Sequence, residues 1–288
     1  MDLGRVGVWQ YQLDQLPSAQ AKEVAAEIEE LGYGAIWLPE MVGWESFVSS
    51  TLLLSGTERI VVATGIAGIY SRDALCANSA LNTVTEAFPE RFLLGLGVSH
   101  APAVERSKQS YTRPYGKMVD YLDQLDAASP AVPHDEMVLA ALGPKMLRLS
   151  AARTAGAHPY FVPPEHTAIA RAALGDGPLL ATEQMIVLET DSATARDIAR
   201  TNIARYLDLP NYTNNLRSLG FTDDDLTPPG SDRLVDAIVG WGDESAIAAR
   251  VQAHLDAGAD HVCVQVLLAD PAAFPRTEWR AIAPALIS

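Results

Sequence analysis

Two side chains stand where a proton could be moved. Glu40 follows the apolar run Ala35-Ile36-Trp37-Leu38, and His100 follows Phe92-Leu93-Leu94-Gly95-Leu96-Gly97. A carboxylate and an imidazole just beyond the ends of neighbouring strands suit acid/base work or contact with a cofactor, and equally suit a hydrogen-bonded structural role. A third stretch, Ala141-Leu142-Gly143-Pro144-Lys145-Met146, joins an apolar run to a helical pattern. Its glycine, the free N–H groups of a helix start and a lysine in the first turn suit a phosphate; the alternative is an ordinary strand-to-helix turn. Arg72 and Asp73 read as a local ion pair or as ligand-facing groups. Trp9, Trp37 and Trp44 read as aromatic walls for a planar ring or as ordinary packing.

Other chemistries fall away. Gly95-Leu96-Gly97 begins like a dinucleotide fingerprint, but His100 stands where the third glycine belongs. No two of the histidines form a His-x-His pair or a helical His-Glu-x-x-His, so a metal-dependent hydrolase is not indicated and no metal is assigned. Cys76 and Cys263 are read as reduced, buried thiols.

The elements that must position these residues alternate along the chain. Ile60-Val61-Val62-Ala63-Thr64 is β-branched and apolar, as a strand buried on both faces should be, and it stops at Gly65. With the Phe92 run it gives two parallel strands ending in small residues, which leaves backbone room for a flat ligand. Further strands are expected at 3–9, 35–38, 137–141, 158–162, 180–188 and 261–266. Helical spacing fills the intervals between them. The junctions Leu31-Gly32, Ala155-Gly156 and Ala257-Gly258 repeat a pattern in which glycine closes a helix just before a strand. Such regular alternation predicts a (β/α)8 barrel as a single domain over 1–288, with a doubly wound sheet as second choice. The polar stretch 211–230 (NYTNNLRSLGFTDDDLTPPG) breaks the rhythm and is expected to be an excursion over the barrel mouth or toward a partner subunit.

A formal net charge of −15 on 288 residues disfavours nucleic acid and anionic membrane as partners, and no apolar run spans a bilayer. The first residues lack the basic and long apolar regions of a signal peptide, so a soluble, cytoplasmic protein acting on a small molecule is expected.

The segments Gly34-Ala35-Ile36-Trp37-Leu38-Pro39-Glu40, Ala63-Thr64-Gly65-Ile66, Pro89-Glu90-Arg91-Phe92-Leu93-Leu94-Gly95-Leu96-Gly97 and Ala140-Ala141-Leu142-Gly143-Pro144-Lys145-Met146 resemble the bacterial luciferase-like flavin oxidoreductases. They are most similar to the branch that uses the deazaflavin coenzyme F420. The resemblance runs from Leu3 to about Leu267. It implies a (β/α)8 barrel with F420, or alternatively FMN, at the carboxyl ends of the strands, and a homodimer.

Position by position, the resemblance implies cofactor contacts. Gly65 and Ile66 match a non-prolyl cis peptide behind the ring. Gly97, Val98 and Ser99 match the loop bordering the cofactor, and Gly143, Pro144, Lys145 and Met146 match its phosphate loop. Where relatives carry Asp-His after the second strand, this chain has Glu40-Met41, and His100 takes the place of a catalytic glutamate of some F420-dependent members. Proton transfer therefore falls to His100 or Glu40. The activities implied are an F420-dependent oxidoreductase, an FMN-dependent monooxygenase, or a non-catalytic protein of the same fold.

Overall fold

The computed structural model describes residues 1–40 and 43–287. Met41, where a family histidine was expected, lies outside the described residues. The strands are β1 (Val6–Trp9), β2 (Ala35–Leu38), β3 (Val61–Thr64), β4 (Ala67–Gly68), β5 (Phe92–Gly97), β6 (Met137–Leu139), β7 (Gly156–Ala157), β8 (Leu179–Val187), β9 (Val239–Trp241) and β10 (His261–Val266). All pairings are parallel. The order β10-β1-β2-β3-β5-β6-β7-β8 closes through a β8–β10 pairing into an eight-stranded barrel, the (β/α)8 architecture.

Alternation along each strand splits the side chains between two cores. Trp9, Trp37, Val61, Ala63, Leu93, Val138, Ala181 and Cys263 fill the barrel interior. Ile36, Leu38, Val62, Leu94, Leu96 and Val264 face the surrounding helices. Burial on both faces is why these strands read as unbroken apolar runs. Gly95 has no alternative, because a Cβ there would lie 1.9 Å from the Thr64 carbonyl oxygen of the neighbouring strand.

Several elements depart from the sequence expectation. The sixth strand is the short β7, so His158 to Val162 is the loop that follows a strand. Pro159 within that run cannot donate to a ladder. Gly156 accordingly sits inside a strand and caps no helix, whereas Gly32 and Gly258 do turn through positive φ beyond helix ends. The stretch 211–230 is mostly helical, with Pro210–Ser218 started by its proline and Asp223–Leu226 started by a capping box from Thr222 and Asp225. The short β9 was not expected and extends the sheet beside the end of β8. Cys263 is buried as expected, but Cys76 is exposed, since its helix turns that face outward; both are free thiols. No helix among the described residues is long and apolar enough to cross a membrane.

Candidate active site

A cavity of about 370 Å³ opens at the carboxyl ends of the barrel strands. Its walls come from successive strand ends: Trp9 and Tyr11 after β1, Pro39 and Glu40 after β2, Gly65 and Ile66 after β3, and Gly97 to His100 at the end of β5. Ala140 to Leu142 and Met146 follow β6, His158 and Tyr160 follow β7, and Arg205, Tyr206, Asn211 and Tyr212 close the far side. The structure thus gathers most of the expected site residues into one wall. Gly143, Pro144 and Lys145 are exposed and stand beyond the cavity lining.

The Gly65–Ile66 peptide is cis, as the resemblance implies. The Gly65 carbonyl accepts the indole N–H of Trp9 at 3.1 Å, tying the ends of β1 and β3 together. Ile66 packs so closely over Gly97 that a Cβ on Gly97 would approach its side chain to 2.5 Å. Ser99 then turns through a left-handed φ of 56°, and the chain delivers His100 to the cavity edge.

His100 Nδ1 lies 3.2 Å from Asn211 Oδ1, which can only accept, so Nδ1 carries the proton and Nε2 the lone pair. Burial lowers the His100 pKa below its usual value, partly offset by the bond to Asn211, so the imidazole is neutral at pH 7. It packs against Tyr212 with ring centroids 5.3 Å apart.

Glu40 is differently placed. Arg72 Nη2 donates to its Oε1 at 2.5 Å, while Arg72 Nη1 at 3.0 Å and the Gly68 N–H at 2.6 Å donate to its Oε2. Both oxygens are therefore engaged as acceptors, and the pair fixes the loops after β2 and β3. Arg72 also reaches Glu45, which caps the helix Ser46–Leu54. Asp73 is no partner of Arg72; it caps the next helix by accepting from the Cys76 N–H. With side-chain exposures of only 8% and 16%, the Arg72–Glu40 pair leaves an unpaired buried charge if broken. Arg72→Met should lower stability by about 3 kcal/mol, measured as a shift in urea midpoint; an unchanged midpoint rejects the structural role.

The sequence reading missed His158 and the tyrosines. His158 stacks on Trp37 at 4.2 Å, and its Nδ1 donates to the Ala181 carbonyl at 2.8 Å. Its Nε2 therefore carries the lone pair, and among the described residues no group donates to it. Burial holds the imidazole near a pKa of about 4. Two residues on, Tyr160 shares a 2.7 Å hydroxyl contact with Tyr206 and donates to Gln265 Oε1 at 2.9 Å. Burial raises both phenols, so they stay protonated donors. The proline-broken run at 157–161 was the signal available for His158 and Tyr160. Nothing in the spacing pointed to Tyr206. Trp37 lies wholly in the barrel interior, whereas Trp44 is exposed on the outer side of the Glu40–Arg72 pair.

The luciferase-like monooxygenase family model matches residues 2–261. No curated protein matches the chain. Among solved structures, the coenzyme F420-dependent tetrahydromethanopterin reductase from Methanopyrus kandleri is similar at 13% identity and a TM-score of 0.73, with 99% of each chain covered. An F420-dependent secondary alcohol dehydrogenase, solved with an F420–acetone adduct, is 13% identical at a TM-score of 0.69 over 98% of each chain. The oxygenating constituent of 3,6-diketocamphane monooxygenase from Pseudomonas putida, solved with FMN, is 12% identical at a TM-score of 0.66, covering 97% of this chain and 96% of that one. A family match over nearly the whole barrel, and a cavity where that fold places its ligand, lead to one conclusion: the chain belongs to the luciferase-like monooxygenase family of oxidoreductases.

Proposed function

We propose that this protein is an F420-dependent oxidoreductase acting on a small organic substrate. The observation that carries the reading is the neutral imidazole of His100 at the edge of an aromatic, glycine-backed cavity. Transfer of a hydride from an alcohol carbon requires loss of the hydroxyl proton, and a base with its lone pair free can take it.

The cavity residues fit a deazaflavin. His158 Nε2 is a buried acceptor that has no donor among the described residues, and a ring N–H suits such an atom. Gly143 begins the helix Pro144–Arg153 without any side-chain cap, so the first N–H groups are open to a phosphate beside Lys145 and Met146. Gly65, Ile66, Gly97, Val98 and Ser99, all in the cavity lining, would back the ring. When bound, F420 supplies a hydride donor or acceptor at C5, and the barrel supplies orientation and exclusion of water. His100 takes the substrate proton on Nε2 in the oxidative direction and returns it in the reductive one. Glu40, with both oxygens held, positions the loop after β2. The homodimer and cytoplasmic location implied earlier belong to the same proposal.

Titration with oxidised F420 and with FMN, followed by absorbance and fluorescence, tests the reading. Saturable F420 binding with at least about tenfold weaker FMN binding is expected, a gap of about 1.4 kcal/mol. Preference for FMN transfers the site to the monooxygenase reading, and binding of neither leaves a non-catalytic protein of this fold.

A further inference from the structure

Among the described residues, Arg205 is the one guanidinium lining the cavity, at its exposed rim. Its partners differ from those of most arginines in this chain. Asp and Glu number 36 against 21 Lys and Arg, so acceptor carboxylates are in excess. Most arginines engaged in side-chain contacts take one: Arg72, Arg153, Arg171, Arg196, Arg200 and Arg233 all pair with carboxylates. Arg91 and Arg250 donate instead to backbone carbonyls. Among the described residues, Arg205 has neither. Its recorded partner is the Tyr206 hydroxyl at 2.9 Å, with the guanidinium carbon 4.9 Å from the Tyr206 ring centre.

That single partner fixes the group in place. Arginine can only donate, so the Tyr206 oxygen accepts from Arg205. Tyr160 gives its proton to Gln265 Oε1, which leaves Tyr206 to donate to Tyr160. The hydrogen bonds thus run one way, from Arg205 through Tyr206 and Tyr160 to Gln265 on β10, anchoring the guanidinium to the barrel. One donor is used in the chain and the others remain free at the mouth of a largely aromatic cavity. A held guanidinium with free N–H groups matches a planar oxyanion, which it can bind through two parallel bonds.

We propose that Arg205 receives an anionic group of the substrate, and that the cavity takes small carboxylates whose apolar body lies among Trp9, Tyr160 and Tyr212. The proposal rests on the oxidoreductase reading for what happens to such a molecule, but not for its binding. The shared chemistry, an oxyanion on Arg205, could also come from the phosphate-bearing tail of the cofactor.

Calorimetry on the full chain, with and without saturating F420 or FMN, separates these sources. The probes are 3-phenylpropionate and its uncharged amide. Wild type should bind the carboxylate at least tenfold more tightly than the amide. Arg205→Met should abolish that preference without weakening the amide, and Arg205→Lys should retain part of it as a point charge. Equal binding of the two probes, binding of neither, or a preference that survives in Arg205→Met overturns the proposal. A second arm compares F420 with its chromophore lacking the phosphate tail: if Arg205→Met weakens F420 alone by tenfold or more, Arg205 holds the cofactor and the substrate assignment is overturned. Carboxylate preference in a protein that binds neither F420 nor FMN would leave this inference standing while removing the oxidoreductase reading.

Discussion

Replacing His100 with alanine should slow turnover by about 100- to 10,000-fold, the usual contribution of a positioned acid or base, while changing cofactor affinity by less than about threefold. The asymmetry follows from where the ring is held. Asn211 fixes Nδ1 and Tyr212 fixes the plane of the imidazole, so Nε2 is the atom left to exchange a proton. The backing of the cavity comes from Gly65, Ile66 and Gly97, which the substitution leaves in place. Because burial sets the His100 pKa below the ordinary imidazole value, the oxidative rate should be flat through neutral pH and fall only on the acid side of 6.5, as the base becomes protonated. Steady-state rates from pH 5 to 8 for wild type and His100→Ala check both points. A variant with an unaltered rate, or with an unchanged acid limb, takes His100 out of the mechanism. Asn211→Ala provides a finer test, since it should shift the acid limb further down by removing the bond that favours the charged ring.

How far the site was legible depends on whether a residue announces itself through local pattern. The barrel did, because strands buried on both faces leave apolar runs with glycine at their ends; β2 and β5 lie where those runs predict. Gly65, Gly97 and His100 were legible for the same reason, being the first residues past such runs. Glu40 was found but not its condition, since the arginine that occupies both its oxygens lies 32 positions away and could equally have paired with Asp73. The tyrosine wall was hidden more deeply. Tyr206 sits in a helical turn and Tyr212 at the start of the helix Pro210–Ser218, and they meet Tyr160 only because that helix folds over the barrel mouth. The stretch 211–230 does reach over the barrel mouth, where Asn211 and Tyr212 line the cavity, but its polarity hides that proline and threonine starts make it largely helical, with Tyr212 and Leu216 turned inward.

Lowering the pH from 7 to 5 should cost the fold about 3 kcal/mol, well before surface carboxylates are protonated. His158, His254 and His261 are buried and neutral, with pKa values pushed down to about 4, 3 and 4 by loss of solvent around the charged form. In the unfolded chain each titrates near 6.5, so below that pH the unfolded state binds more protons than the native one and stability falls with pH. Each imidazole contributes a loss of about 2 kcal/mol by pH 5. The bonding patterns show why charging is resisted. His261 Nε2 accepts the Trp37 indole N–H at 3.1 Å, so a proton there would set two donors face to face. His254 donates Nε2–H to Gln184 Oε1 at 2.7 Å and accepts from Thr167 at 2.8 Å, leaving no site for a second proton. Glu183 works in the opposite sense. Burial raises its pKa to about 8, so its native form is protonated at neutral pH; acidification protonates the unfolded chain too and returns about 3 kcal/mol. The balance is a net uptake of about two protons on unfolding between pH 6 and 5, read from the slope of stability against pH in urea titrations. His254→Gln, which keeps a donor to Gln184 and an acceptor for Thr167, should reduce that slope by about one proton. A stability that is level from pH 7 to 5, or a slope indifferent to this substitution, would mean that the imidazoles are not held neutral in the barrel.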